Sequence, residues 1–380
     1  MLAGCLPIHD VEITAVSDLY SARMEEAQKL AASRPPQGYA DFESMLRDAP
    51  IDAVHVAVEP ENIPAVVVAC LNAGKHVLSD VPMAYSLEEI WDIVLAVERS
   101  GTKYMLGEAL RYWPFIEKWK QLYDDGVLGK IAYAEGQYLH GMGDDRYYNH
   151  PETHARLTIE EAAAHPNPLK SRAWNLSHPI LYLPHTLSPL LRVLGERITS
   201  VVCMGNTKSH ARPFFPHPDL ETALMRTEND TVLRVSAGFA IYQPHKPVTM
   251  YHWYNLVGTR GSVETQRSAQ DEMKIFHPFE GDKTARNVEE SFWKAEIPEE
   301  AAASGHGGID YWAFRHFFDC ILKDVPPAMD VYQAAETAAP AILAARSAEQ
   351  NSACLSVPDF RPGPARAVGQ EWKPHPKVSA

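Results

Sequence analysis

Two acidic residues stand directly after apolar runs that are typical of β-strands. Asp18 ends the run at residues 11–18, and Asp80 follows the run at residues 74–79, just before Val81 and Pro82. In open α/β sheets, ligands bind beyond the carboxyl ends of the strands. A carboxylate there can accept hydrogen bonds from ribose or substrate hydroxyls, or it can cap the helix that follows. The turn from Asp80 to Pro82 is therefore our first candidate for an active site.

An alternation of strands and helices positions these two acids. The predicted strands lie at residues 11–18, 51–58, 76–78 and 104–107, and the predicted helices at residues 21–32, 63–73 and 87–100. This alternation predicts a doubly wound parallel sheet, an α/β domain of the Rossmann type. At the end of the second strand of such a sheet, an acid like Asp18 accepts hydrogen bonds from the ribose of NAD and repels the 2′-phosphate of NADP. NAD is therefore the expected cofactor, and NADP is disfavoured.

The usual opening of such a domain is missing from the sequence. A further strand and a Gly-x-Gly-x-x-Gly turn normally hold the pyrophosphate of the cofactor. Neither precedes residue 11, and residues 1–6 look like the tail of the first helix. We therefore expect that the first strand and the glycine-rich loop are absent, through a misplaced start or a trimmed sequence.

A different pattern follows Arg111. Long alternating runs lie at residues 132–140, 198–205, 222–227, 231–240 and 250–258. They predict a C-terminal α+β domain with a large, mostly antiparallel sheet and helices packed on one face. The last helices are predicted at residues 311–322 and 331–349. The expected domains are therefore residues 1–111 and 112–360, and residues 361–380 form a tail that is extended or disordered unless it docks on a neighbouring subunit.

Residues 141–177 form a polar, histidine-rich insert between two of these runs. Thr158 and Glu161 could cap a short helix within it, and its length suits a lid or an oligomer contact. His150 and His154 have the spacing of a helical metal pair, but Pro151 restricts the first to a first turn. We therefore predict no metal.

Composition and charge narrow the classes of partner. The 380 residues carry a formal net charge of −14, which opposes nucleic-acid binding. No run of about 18 apolar residues is present, so no membrane partner is expected. The five cysteines are scattered without a Cys-x-x-Cys pair, and they indicate reduced thiols in a cytoplasmic protein. The expected partners are a small molecule and further copies of the chain.

Several separate segments together resemble the Gfo/Idh/MocA oxidoreductase family. The nucleotide-domain segments lie at residues 51–57, 73–78 and 82–84, and the second-domain segments at residues 254–264, 305–311 and 344–348. Together these segments cover about residues 10–358. Their agreement with the family in order and spacing is far more specific than a lone motif. The resemblance implies an NAD-dependent enzyme that acts on a carbohydrate hydroxyl, in a homodimer or homotetramer.

Two departures from the family pattern occur together. Val81 occupies the position of the usual catalytic lysine, and Leu181 occupies that of an aspartate four residues before a histidine. Tyr182 and His185 instead resemble the Tyr-Pro-Thr-His motif of a branch that includes NAD-dependent glycoside hydrolases. Oxidation of an alcohol needs a base for the hydroxyl proton, and imidazole or phenol can serve. The expected catalytic residues are therefore His185 and Tyr182; the alternative is a packed tyrosine and a structural histidine.

The resemblance and the strand ends also imply the binding residues. The expected cofactor-binding residues, which follow the strands of the nucleotide domain, are Asp18, Ala57, Glu59, Asp80, Val81 and Pro82. The expected substrate-binding residues are Arg111, Glu108, His140, Trp174 and His306. Each also has a structural interpretation, such as an ion pair for Glu108 or an interface aromatic for Trp174.

Three functions stay open at this point. The leading one is an oxidoreductase that transfers hydride between a sugar, glycoside or cyclic polyol hydroxyl and nicotinamide. The second is an NAD-dependent glycoside hydrolase that acts by transient oxidation at C3 and elimination. The third is a ligand-binding or assembly protein that has lost catalysis.

Overall fold

The computed structural model describes residues 2–141, 143–171, 176–211, 215, 217–246, 248–293, 298–302, 304–364 and 366–370. The chain divides into two compact units. Unit 1 comprises residues 1–113, 295–336 and 359–380, and unit 2 comprises residues 114–294 and 337–358. This division differs from the predicted boundary between residues 111 and 112 because the chain returns twice to unit 1. The returns depend on contacts between residues far apart in sequence, which no local pattern reveals.

The helices, in chain order, are α1 Leu2–Cys5, α2 Ser21–Leu30, α3 Phe42–Asp48, α4 Ile63–Asn72, α5 Leu87–Ser100, α6 Pro114–Asp124, α7 Ile159–Ala164, α8 Pro184–Leu194, α9 Glu290–Trp293, α10 Asp310–Leu322 and α11 Val331–Glu349. The strands are β1 Ala15–Ser17, β2 Gln37–Tyr39, β3 Ala53–Val56, β4 His76–Ser79, β5 Tyr104–Leu106, β6 Ile131–Leu139, β7 Tyr148–Asn149, β8 Arg156–Leu157, β9 Leu169–Lys170, β10 Ile198–Gly205, β11 Leu220–Thr227, β12 Val232–Gly238, β13 His252–Gly258, β14 Ser262–Glu264, β15 Met273–Phe276, β16 Arg286–Val288 and β17 Leu355–Ser356.

Unit 1 contains the parallel strands of the predicted Rossmann domain. Strand β1 pairs with β2, and β4 pairs with both β3 and β5, all in parallel register. These pairings form two separate sheets, and no strand in the described part of the chain joins them. Helix α5 shows why these elements form where they do: Ser86 and Glu89 make a reciprocal capping box at its start, and Gly101 ends it in a left-handed conformation.

Unit 2 contains the predicted large sheet. Nine strands lie in the order β16-β15-β14-β13-β6-β12-β11-β10-β17, and all neighbours are antiparallel except β6 and β12. Helices α6 and α8 contact each other, and α8 packs on β6. The expected α/β and α+β fold class is confirmed. The insert forms a small sheet of β7, β8 and β9, and the predicted capping box of Thr158 and Glu161 begins α7.

The tail is ordered as far as residue 370, within unit 1. Phe360 is 1% exposed and stacks on Trp91 of α5, with 4.5 Å between the ring centroids. Arg366 is buried and binds Glu98 of the same helix. The predicted extended or disordered tail is therefore wrong for residues 361–370, because apolar and charged contacts anchor it. Residues 371–380 lie outside the described residues.

Candidate active site

One face of β6 carries the first residues of the candidate site in unit 2. Gly136 and Tyr138 lie two residues apart on β6, so their side chains project to the same face. Across the strand pair, Gly136 lies opposite Tyr254 and Tyr138 lies opposite His252 on β13. His252 and Tyr254 are 1% and 0% exposed. The alternation of the two strands therefore places two tyrosines and a histidine on one buried surface.

The predicted catalytic pair lies at the start of α8. A 3₁₀ turn at Pro179–Tyr182 leads through Leu183 into the helix, so Tyr182 and His185 stand on adjacent turns. Their ring centroids lie 5.6 Å apart, and both side chains are half-buried. The structure therefore brings these two predicted catalytic residues together.

Gly136 allows α8 to approach the sheet closely. A Cβ atom built on Gly136 would lie 2.4 Å from Cγ2 of Thr186, the residue after His185. Real side chains do not approach so closely, so only glycine fits beneath this turn of the helix. The close approach places the ring of His185 6.1 Å from that of Tyr138, in an edge-on arrangement.

Aromatic and imidazole rings surround the pair. Tyr138 stacks on His252 with 4.0 Å between ring centroids, and it lies 5.1 Å from His140. Phe239 contacts both Tyr182 and His140, at 5.3 and 5.2 Å. We call this set the ring cluster, and its members are Tyr138, His140, Tyr182, His185, Phe239, His252 and Tyr254. The ring cluster contains side chains that can exchange protons. Its apolar ring surfaces limit the access of water to them.

Hydrogen bonds anchor the ring cluster to the backbone of α8. The hydroxyl of Tyr254 donates to the main-chain oxygen of His185 over 3.1 Å, and it lies 3.2 Å from Nδ1 of His252. Burial lowers the pKa of His140, against the opposing effect of its bond to the Gly141 carbonyl. His140 is therefore a neutral imidazole near pH 7, which can accept a proton or a hydrogen bond.

Sequence reasoning predicted three members of the ring cluster and missed the others. Tyr138 and His252 are direct cross-strand neighbours although 114 positions separate them in the chain. The alternation of β6 indicated that Tyr138 shares a face with His140, and this signal could have added it to the candidates. Nothing in the local sequence of β13 indicated the partner strand.

Alanine at Gly136 tests the close approach. We expect Gly136→Ala to displace the first turn of α8, because the new methyl group would meet Cγ2 of Thr186. The destabilisation should be about 1–3 kcal/mol, as for other overpacked sites, and should be measurable by urea unfolding. The double variant with Thr186→Ser, which removes that methyl group, should recover part of the loss. Equal losses in the single and double variants would contradict the assignment.

Unit 1 holds the acids predicted at strand ends. Oδ1 of Asp80 lies 3.0 Å from Nε2 of His55 on β3, and Ser86, not Asp80, caps α5. The capping alternative for Asp80 is therefore wrong, and His55 is a neighbour that the sequence did not indicate. Asp18 follows β1; its Oδ1 accepts from the Tyr20 amide over 2.9 Å, and its Oδ2 lies 4.0 Å from Arg23.

The other residues predicted to bind the cofactor also follow strands. Ala57 and Glu59 come directly after β3 and are exposed, whereas Val81 and Pro82 are buried after β4. The carboxyl ends of β3 and β4 are neighbours because the strands are paired in parallel. These residues thus lie at one edge of one sheet, as ligand binding to this fold requires.

A buried polar group follows β5. Glu108 is 0% exposed and Oε1 accepts from the Leu110 amide over 3.0 Å, so it caps the 3₁₀ turn that contains Arg111. Nδ1 of His306 donates to Oδ1 of the buried Asp310 over 2.8 Å. The bond to Asp310 raises the pKa of His306, against burial, and the charge of Glu108 acts in the same direction. The structure therefore brings Glu108 and His306 within electrostatic reach in unit 1.

Three further expectations concern Trp174, metal binding and membrane-spanning helices. Trp174 lies outside the described residues. The described histidines, cysteines and acids form no group of three that could hold a metal ion. Within the described helices, none is long and apolar enough to cross a bilayer.

The described residues fit a dinucleotide by the chemistry of their donors and acceptors. The side chain of Asp18 is 29% exposed, so a ribose hydroxyl can reach its carboxylate. Asp80 presents a second carboxylate that is also partly exposed. Asp18 would hold the adenosine ribose, and the turn from Asp80 to Pro82 would contact the nicotinamide half.

Comparison with known proteins agrees with the geometry. The oxidoreductase family with the NAD-binding Rossmann fold, Gfo/Idh/MocA, matches residues 6–108. The C-terminal domain of glycosyl hydrolase 109 matches residues 194–366. The chain carries a Gfo/Idh/MocA NAD-binding domain and a glycosyl hydrolase 109 C-terminal domain. The expected family resemblance, NAD-dependent enzyme class and cofactor are confirmed.

Individual relatives are similar to this chain over most of its length. Glycosyl hydrolase family 109 protein 3 of Phocaeicola vulgatus is 25% identical over 94% of this chain and 70% of its own length. Glycosyl hydrolase family 109 protein 1 of Bacteroides thetaiotaomicron is 27% identical over 94% of this chain and 80% of its own. A levoglucosan dehydrogenase solved with NADH and levoglucosan shares the fold, with a TM-score of 0.72 at 18% identity over 94% and 95% of the two chains.

Proposed function

We propose that this protein is an NAD-dependent enzyme that oxidises a hydroxyl group of a sugar, glycoside or cyclic polyol. The observation that carries the proposal is the pairing of Tyr182 and His185, 5.6 Å apart, within the ring cluster. A phenol or an imidazole group could serve as the base in place of the lysine of the family pattern, whose position Val81 occupies. The sugar dehydrogenase among the structural neighbours supports a carbohydrate substrate.

The chain supplies the proton chemistry of this reaction. When bound, NAD accepts the hydride from the carbohydrate carbon. His185 takes the hydroxyl proton, since histidine is the side chain that most often serves as a general base. Tyr182 donates a hydrogen bond to the oxygen on which negative charge develops. Arg111, Glu108 and His306 of unit 1 and His140 of unit 2 remain our proposed substrate-binding residues.

The glycosyl hydrolase 109 match favours a second candidate, a redox-neutral glycoside hydrolase. In that reaction, oxidation at C3 makes the C2 proton acidic. Removal of this proton expels the aglycone from C1, water then adds to the double bond, and reduction at C3 completes the cycle. Both candidates begin with loss of the same hydroxyl proton, so both assign the same role to His185.

A panel of nitrophenyl glycosides, free sugars and cyclic polyols separates the two candidates. With NAD added, we expect an oxidoreductase to form NADH in proportion to the substrate consumed. A hydrolase would instead release nitrophenol without net NADH, and in deuterated water it would exchange the C2 proton. The absence of turnover, exchange and NAD-linked absorbance with every compound would contradict both candidates.

We also infer that the protein is a homodimer or homotetramer. The exposed apolar residues Met204, Leu224, Val232 and Val257 project from one face of the large sheet, because their cross-strand positions alternate together. Exposed apolar patches of this kind commonly mark contacts between proteins. Light scattering should give a mass of two or four chains, and a monomer would contradict the inference.

A cytoplasmic location is the last part of the proposal. Cys5, Cys70, Cys203 and Cys320 are buried free thiols, and Cys354 is an exposed free thiol. Free thiols are typical of reducing compartments. Fractionation of the source cells tests this location.

A further inference from the structure

The 3₁₀ turn that carries Tyr182 is capped by a side chain from the large sheet. The 3₁₀ turn Pro179–Tyr182 begins with a proline, and the side chain of His178 makes no capping bond at its start. The first amide of the turn that can donate, that of Ile180, instead bonds Oε2 of Glu221 over 3.1 Å. Glu221 lies on β11, so a carboxylate from the sheet holds the start of this turn.

His178 binds the same carboxylate. Nδ1 of His178 lies 2.7 Å from Oε1 of Glu221, and Nε2 lies 3.2 Å from Oε1 of Glu349, the last residue of α11. Both ring nitrogens face carboxylate oxygens, and this arrangement favours the doubly protonated imidazolium form of the ring. We call these three residues the carboxylate clamp.

Glu221 is the buried carboxylate of the clamp. This residue is 1% exposed, so its charge needs strong partners, which His178 and the Ile180 amide supply. A Cβ atom on Gly205 would lie 2.5 Å from Cγ of Glu221, so glycine on the neighbouring strand β10 leaves room for the carboxylate. Breaking a buried pair of this kind leaves an uncompensated charge.

Among the residues that the structure describes, three elements supply the charged and titratable groups around His178. They are Glu221 from β11, Glu349 from α11 and, beyond Glu221, Cys203 from β10. Burial and the charge of Glu221 raise the pKa of the Cys203 thiol to about 12, so it stays neutral. The hydrogen bond to Glu221 raises the pKa of His178, against burial, and Glu349 adds to the rise.

We propose that the carboxylate clamp is the positioning device of the catalytic pair: His178 and Glu221 fix the turn that sets Tyr182 and His185 against the ring cluster. The catalytic role of Tyr182 and His185 rests on the proposed function, whereas the contacts of the clamp do not. The clamp bonds the backbone amide of Ile180, ahead of Tyr182, so we assign its members the role of positioning residues.

The sign of the pH dependence follows from the raised pKa of His178. The folded state holds the proton more tightly than the unfolded chain, whose histidine titrates near its ordinary value of 6.5. The clamp therefore contributes its full stability below that pH and loses it as the pH rises through the folded-state pKa. Wild-type unfolding free energy should decrease as the pH rises from 6.5, and His178→Gln should remove that decrease.

The experiment compares His178→Gln, Glu221→Gln and Glu349→Gln with wild type. A matched control is Glu228→Gln, which removes a partly exposed carboxylate that pairs with Arg197 over 3.2 Å. In His178→Gln and Glu221→Gln we expect kcat to fall by about 10²-fold, as for a slight misplacement of catalytic groups, with KM nearly unchanged. Glu349→Gln should keep most of kcat but shift the alkaline limb of the pH profile to lower pH.

A second readout does not depend on activity. Nuclear magnetic resonance of ring-labelled histidine can follow the titration of His178 and the chemical shift of His185 in the same sample. We expect the His185 signal to move at the pH where His178 titrates, and Glu221→Gln should abolish this movement. If the His185 signal does not follow the titration of His178, or if folded His178→Gln keeps wild-type kcat, the clamp is not a positioning device. If this coupling is present but no carbohydrate is turned over, the proposed function fails and the clamp stands.

Discussion

Replacing His185 by alanine should lower kcat on the carbohydrate substrate by about 10²–10⁴-fold, the usual contribution of general acid–base catalysis. In our proposal the imidazole takes the hydroxyl proton; its ring lies 5.6 Å from that of Tyr182 and 6.1 Å from that of Tyr138. Alanine removes that base but keeps the main-chain oxygen that accepts from Tyr254. KM should change little, because the loss concerns the transition state.

A second variant in the catalytic pair and a control variant on β6 help to interpret this result. Tyr182→Phe should reduce kcat less than His185→Ala does, because phenylalanine keeps the packing against Phe239 and loses only the hydroxyl. Gln137→Ala on the opposite face of β6 is a control, and it should retain activity and NAD binding. Full activity in folded His185→Ala would show that the proton passes through another group, and His140 would be the next candidate.

Loss of the Arg366 side chain should destabilise unit 1 by about 3–5 kcal/mol, the cost of breaking a buried ion pair. The side chains of Arg366 and Glu98 are 1% and 3% exposed. Two hydrogen bonds of 3.1 and 2.6 Å join them, and Glu98 also accepts from Tyr332 and the Gly369 amide. Burial alone would raise the pKa of Glu98, but these bonds outweigh it and lower the pKa. Arg366→Ala would leave this carboxylate charged and underpaired.

Denaturant unfolding measures this effect, and two comparisons interpret it. Arg34→Ala removes an exposed pair with Glu12, with side chains 75% and 45% exposed, and should cost below about 1 kcal/mol. The double variant Glu98→Leu with Arg366→Met removes both charges and should recover much of the stability lost in Arg366→Ala. If Arg366→Ala were as harmless as Arg34→Ala, the tail would not be docked in solution.

Local sequence patterns predicted the long elements well. Helices α5 and α11 and strand β10 lie where the apolar spacing and caps placed them. The short elements β2 and α3 were missed, because β2 has only three residues and follows two prolines. Brief segments of this kind carry too few residues for a period to emerge.

The site was predicted only as far as neighbours in sequence could reveal it. Tyr182 and His185 lie only three residues apart on adjacent turns, so a motif could indicate them together. Tyr138 with His252 and His178 with Glu349 are instead joined by strand pairing and helix packing over more than a hundred positions. The docking of Arg366 on Glu98 has the same character. Such contacts depend on the tertiary fold, which no local pattern of residue types encodes.

In the proposed reaction, hydride leaves a carbohydrate while His185 takes the hydroxyl proton. A stopped-flow single turnover tests it directly, with the NAD-loaded protein in excess over the carbohydrate and the absorbance of NADH as the signal. On mixing wild type, we predict a rise in NADH absorbance that lasts in an oxidoreductase and is transient in a hydrolase. In His185→Ala we predict a rise at least about 10²-fold slower. Conversion of the carbohydrate by wild type without any rise in NADH absorbance, or an equal rise in both proteins, would contradict it.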